Sequence, residues 1–142
     1  MISKRRKIRE VVLESIFQLD FNNNVTYEEI LSLLRDLLEN KKVPQSLIEE
    51  AEIYIEDIFN NKDDYDNLIK NYLLNWEFDR VANIEKSILR LAIFELKNRN
   101  DIPPKVILDE AVELAKKYAN KKSAKFINGI LDRLAKEEFK RL

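Results

Sequence analysis

Cysteine and histidine are both absent from this 142-residue chain, and glycine occurs once. Without cysteine there are no disulfides, no thiolate metal sites and no thiol catalysis. Without histidine the chain lacks the commonest general base near neutral pH and the commonest metal ligand. One glycine and three prolines leave few turn-forming residues, which counts against folds of many short strands. No apolar run approaches the roughly 20 residues of a membrane span. The basic N-terminus lacks the apolar core and small-residue cleavage site of a secretory signal. The expectation is a cytoplasmic protein with no metal, cofactor or membrane partner.

What is present points to helices. Hydrophobic residues make up 45% and charged residues 36%, enough for one core, or for two small subdomains sharing one. Leu, Ile, Lys, Glu, Asn and Ala dominate, and the apolar positions recur at helical spacing. The expected fold is all-α, with about seven helices. Helix one, over about 3–20, carries the stripe Ile8, Val11, Val12, Ser15, Ile16 and Leu19, and residues 22–24 form a polar turn after it. Helix two opens on Thr26 and Glu29, a capping box that satisfies free amides. Pro44 favours the start of helix three, which runs to about 59. Helix four is expected over about 63–75, and Trp76 to Asp79 reads as a connector in which Asp79 caps the next helix. Helix five, about 80–98, is the most apolar and reads as a central helix packed on several sides. Pro103 and Pro104 set the start of helix six. The tail from Glu137 reads as charged and loose.

Charge is nearly balanced overall, at −1, but unevenly placed. Lys4, Arg5, Arg6, Lys7 and Arg9 crowd the start. Residues 28–66 hold twelve acids against four bases, a local balance of −8, and residues 116–125 hold five lysines and no acid. A neutral chain polarised in this way can present one basic face to a polyanion. The acidic first part and the basic C-terminal part suggest subdomains of about 1–76 and 77–142 within a single domain, 1–142.

The candidate site residues follow from the helical wheel of the last long helix. Ile127, Ile130, Leu131 and Leu134 centre about 90° from Phe126, so Phe126 lies at the edge of the buried stripe. It is either a peripheral core aromatic or a stacking platform for an unpaired base, with Lys122 and Lys125 beside it. Lys121, Lys122 and Ser123 sit at a helix start, where free amides and the dipole favour anions; Ser123 is equally well an ordinary cap or a small core residue. Asn128 points away from the core and offers both donor and acceptor. Gly129 either eases close approach of a ligand or lets two helices pack tightly. At the other end, Lys4, Arg5, Arg6, Lys7 and Arg9 are either a solvated helix end or a phosphate-neutralising cluster, since arginine forks suit RNA. Adjacent carboxylates such as Asp63/Asp64 do not face each other on a helix, and they read as caps and solubilising charge. No phosphate-loop, dinucleotide or nucleophile motif is present, so no catalysis is expected.

Several stretches together resemble the NusB family of bacterial transcription antitermination factors. These are Asp79-Arg80-Val81-Ala82-Asn83-Ile84-Glu85-Lys86-Ser87-Ile88-Leu89-Arg90-Leu91-Ala92 with Phe94-Glu95-Leu96, then Asp101-Ile102-Pro103, and Asp109-Glu110-Ala111-Val112-Glu113-Leu114-Ala115-Lys116. The strongest is Ser123-Ala124-Lys125-Phe126-Ile127-Asn128-Gly129-Ile130-Leu131-Asp132, and Arg5-Arg6-Lys7-Ile8-Arg9-Glu10 is similar to the family's arginine-rich start. Two positions depart from the pattern: Ala119 stands where glycine is usual, and Lys122 where an acidic or neutral polar residue is usual. The resemblance implies seven helices in two subdomains and binding of boxA, a single-stranded element of ribosomal RNA leader transcripts. It implies RNA contacts from the residues just weighed. It also implies a heterodimer with the ribosomal protein NusE, and assembly with NusA, NusG and RNA polymerase. Phe17, Glu85 and Arg90 fall where the family's partner-facing surface would be. The alternatives are a purely protein-binding helical adaptor, and a NusB-like ribosomal RNA-binding domain of the kind fused to cytosine methyltransferases, which the lack of a further domain disfavours.

Overall fold

A computed structural model describes residues 4–22, 24–74 and 77–142. Ser3, Asn23, Asn75 and Trp76, given above to helix one, the polar turn, helix four and the connector, lie outside the described residues. Among the described residues there are seven α-helices and no strands: α1 (Lys4–Ile16), α2 (Tyr27–Asn40), α3 (Gln45–Asn60), α4 (Lys62–Asn71), α5 (Asn83–Asn98), α6 (Pro104–Tyr118) and α7 (Lys121–Arg133). None is long and apolar enough to cross a membrane. The chain divides into two compact units, Met1–Asn61 and Lys62–Leu142.

In the first unit α1 packs on α2 and α3, and α2 on α3. Thr26 begins α2 as expected: the Glu29 N–H donates to Thr26 Oγ1 at 3.2 Å and the Thr26 N–H to Glu29 Oε1 at 3.3 Å. The α2 core stripe is narrow, Ile30, Leu34 and Leu38, facing Leu47, Ala51, Tyr54, Ile55 and Ile58 of α3. α1 stops at Ile16 and tightens into a 3₁₀ turn, Phe17–Asp20.

In the second unit α5 is central. Every residue from Lys86 to Leu96 is buried, and α4, α6 and α7 pack on it. α4 therefore belongs with the C-terminal part, and the boundary falls at 61/62 rather than near 76. A buried ion pair accounts for the shift. Arg90 of α5 donates from Nε to Asp66 Oδ1 of α4 at 2.7 Å and from Nη2 to Oδ2 at 3.0 Å.

Helix five starts three residues later than expected. Phe78–Arg80 is a 3₁₀ turn, so Asp79 does not cap α5; instead the Glu85 carboxylate accepts the Ala82 N–H at 3.1 Å. Pro104 is the first residue of α6, as the paired prolines suggest. Ala119, between α6 and α7, has φ −135°, outside the left-handed region that favours glycine, so alanine is tolerated there. The tail is not loose. Leu134–Glu138 continues α7 as a π-helical segment with Leu134 and Ala135 buried. Arg141 then donates to the Leu96 carbonyl at 2.9 Å and to the Ile102 carbonyl at 2.6 Å. Leu96 is in the last turn of α5, where carbonyls lack helical partners, so the tail caps the central helix.

Candidate nucleic-acid interface

α7 begins with cations. Asn120 precedes it, and its Oδ1 accepts the Ser123 N–H at 2.8 Å, one of the four amides a helix start leaves unpaired. Lys121 and Lys122 follow and are exposed, as is Lys125. Cations at this end oppose the helix dipole, at a cost of a few tenths of a kcal/mol each. Ser123 is 8% exposed; it is a small buried residue under the cap rather than an open contact point. Asn128 is exposed.

Phe126 is half-buried and stands between two clefts. The first, about 220 Å³, is bounded by Arg80, Val81, Glu85, Asn120, Lys122 and Ser123, with Phe126 as one wall. It combines an apolar wall with a guanidinium, an ammonium, a carboxylate and an amide. The 3₁₀ turn that presents exposed Arg80 is held by Phe78, whose ring centroid lies 4.4 Å from Lys86 Nζ and 5.1 Å from Lys70 Nζ. Such cation–π contacts contribute about 0.5–1 kcal/mol each at accessible sites. The second cleft, about 300 Å³, is bounded by Tyr72, Leu73 and Leu74 on one side and by Lys125, Gly129, Ile130 and Arg133 of α7 on the other, again with Phe126. Partial burial, then the nearby Glu138 and Glu137, hold the Tyr72 phenol above its usual pKa, so it is neutral at pH 7.

The expected basic N-terminal cluster divides. Lys4 and Lys7 are exposed and Arg5 and Arg6 half-buried, but Arg9 is only 2% exposed. Arg9 shares a helical row with Val12, Leu13 and Ile16, spaced i, i+3, i+4 and i+7, so α1 turns it inward and it is not placed to meet a phosphate. Arg90 is likewise corrected. It is fully buried and donates to Asp66 rather than standing on the surface. Glu85 is half-buried in the first cleft, beside Phe126 rather than on a separate surface. Phe17 is half-buried in the turn after α1, edge-to-face with Phe21 at 4.8 Å between ring centroids, and Phe21 is 61% exposed.

Sequence reasoning missed Arg80, Phe21, the segment 72–74 and Arg133. Arg133 was legible: Phe126, Gly129, Ile130 and Arg133 are spaced i, i+3, i+4 and i+7 and share one face. Helix four, expected to reach about 75, stops at Asn71, which frees 72–74 to form a cleft wall. Among the described residues no group of three or more Asp or Glu side chains is placed to hold a metal ion.

Comparison with known proteins agrees along nearly the whole chain. The NusB family model matches residues 6–136. The Transcription antitermination protein NusB of Fervidobacterium nodosum is 43% identical over 137 residues, covering 96% of this chain and 94% of that protein. The protein of the same name from Myxococcus xanthus is 40% identical over 131 residues, covering 92% and 94%. Among solved structures, T. maritima NusB superimposes with a TM-score of 0.86 at 38% identity, over 96% of this chain and 94% of that one. A second, from the structure of antitermination factors NusB and NusE in complex with dsRNA, gives a TM-score of 0.79 at 25% identity, over 96% and 98%. With a family model and relatives this similar over this much of its length, the chain belongs to the NusB family.

Proposed function

We propose that the chain is an RNA-binding transcription antitermination factor that takes a boxA-like single strand of ribosomal RNA leader transcripts, together with NusE, and has no catalytic activity of its own. The observation that carries this reading is Phe126: an aromatic at the margin of the core, standing between two clefts, with exposed Lys122 and Lys125 on the same helix. A base stacks on the ring, the lysines neutralise neighbouring phosphates, and Glu85, Asn120 and Arg80 offer acceptors and donors to a base edge in the first cleft. Lys4, Arg5, Arg6, Lys7 and Lys121 extend the contact to more of the backbone, and Asn128 adds a further polar group. The related structure that holds NusB, NusE and double-stranded RNA supports both the RNA and the ribosomal-protein partner.

In this reading the Phe17–Phe21 pair is the partner-facing patch, because aromatics left in water beside a polar surface mark protein interfaces. NusE tethers the RNA-bound factor to a larger assembly with NusA, NusG and RNA polymerase, in the cytoplasm, and so sustains ribosomal RNA transcription. The test is Phe126→Ala with a fluorescently labelled boxA-like strand, with and without NusE. Loss of stacking should weaken binding by about 1–3 kcal/mol. Unchanged affinity in a variant with an unchanged circular dichroism spectrum would remove the stacking claim.

A further inference from the structure

Gly129 has no structural reason to be glycine. It lies inside α7, where glycine is disfavoured relative to every residue but proline, and the chain uses glycine nowhere else. Its φ is not positive. Among the described residues, a β-carbon built there meets nothing within 4 Å, so no described neighbouring helix requires the missing side chain. Tight helix packing, one of the two readings open from sequence, is thereby excluded. Gly129 lines the second cleft.

The rest of that cleft is chemically unlike the first. Phe126 and Ile130 flank Gly129 on α7, and Leu73 and Leu74 face them. Leu74 is 76% exposed, a large apolar side chain left in water. Two cations, Lys125 and Arg133, border the space, and among the described residues none of the lining groups is acidic. Arg133 also donates to the Tyr72 carbonyl and lies over the Tyr72 ring, 5.7 Å from its centroid, which holds the facing wall in place. A space of about 300 Å³ is at the small end of ligand pockets, which run from about 300 to 1,000 Å³, and fits one planar ring system.

We infer that the cleft over Gly129 is a second nucleobase seat, so that two neighbouring unpaired nucleotides straddle Phe126, one in each cleft. The inference rests on the RNA-binding function proposed above and divides the work between the seats. The first seat, with its carboxylate, amide and guanidinium, reads a base edge. The second offers chiefly apolar faces, the Tyr72 ring and two cations, so it accepts any base by stacking, since every base has a π-face. Lys125 meets the phosphate between the two.

The experiment uses the full chain and boxA-like single strands carrying 2-aminopurine at one position in turn, because this base loses fluorescence when stacked. In the unaltered protein two neighbouring positions should be quenched on binding. Gly129→Leu fills the second seat and Leu74→Ser strips its facing wall; each should restore fluorescence at one of the two positions, leave the other quenched, and weaken binding about fivefold or more. Gly129→Ala removes the helix penalty and should raise Tm by about 2–4 °C, which confirms that the site tolerates a side chain in the absence of RNA. If Gly129→Leu leaves both quenching and affinity unchanged while Phe126→Ala weakens binding, the second seat is refuted and the RNA function stands. If neither substitution affects binding, both readings fail.

Discussion

Asp66→Ala should be among the most damaging single substitutions in the second unit, and its size follows from the geometry. Arg90 is fully buried, and Asp66 accepts two of its N–H groups at 2.7 and 3.0 Å while its side chain is only 8% exposed. Removing the carboxylate leaves a guanidinium that can neither lose its proton nor reach water. Breaking one half of a buried pair costs about 3–5 kcal/mol, against a typical total stability of about 5–15 kcal/mol. The third group, Lys62, bonds Asp66 Oδ2 at 3.1 Å but is partly exposed, so it adds little, about 0–1 kcal/mol. Urea unfolding followed by circular dichroism should show a lower midpoint, and the melting temperature should drop by about 10 °C or more. Replacing both partners together, Asp66→Leu with Arg90→Leu, should recover much of the loss, because no charge is then stranded. A loss below about 1 kcal/mol for Asp66→Ala, the value of a surface pair, would refute the claim that the pair holds α4 to α5. It would also reopen Arg90 as a partner contact.

Two further outcomes follow from α7 and its cap. Affinity for a single strand should fall linearly in log–log terms with salt, by about 0.7 per phosphate neutralised. Lys121, Lys122 and Lys125 together therefore contribute about −2 to the slope, to which Lys4, Arg5, Arg6 and Lys7 add; titration in rising potassium chloride measures it, and a flat response would remove the phosphate contacts. Asn120→Ala removes the side chain that accepts the Ser123 N–H and should cost about 1 kcal/mol in a denaturation experiment. No change there would mean that water caps the helix equally well.

Where the determinants lie within a turn or two of one another, the sequence was enough. The Thr26–Glu29 capping box, the start of α6 at Pro104, the apolar stripes and the marginal position of Phe126 all depend on residues three or four apart. Helical periodicity encodes such spacing directly. Even Arg9, read as a phosphate contact, carried its own warning in the row it shares with Val12, Leu13 and Ile16. The Gly129 face was legible in part, since the spacing to Phe126 and Arg133 is helical.

The rest depended on distant pairings that no local pattern records. Arg90 looked available until Asp66, 24 residues earlier, was placed beside it. The tail looked loose until Arg141 met the carbonyl of Leu96, 45 residues before it. Gly129 stayed ambiguous because a wheel shows which face a residue takes but not what stands opposite. The packing of the second unit left open space there, and that removed one of the two readings. Burial of a charge and the width of a cleft are set by what another segment brings up against them, so they belong to the folded chain and not to any window of its sequence.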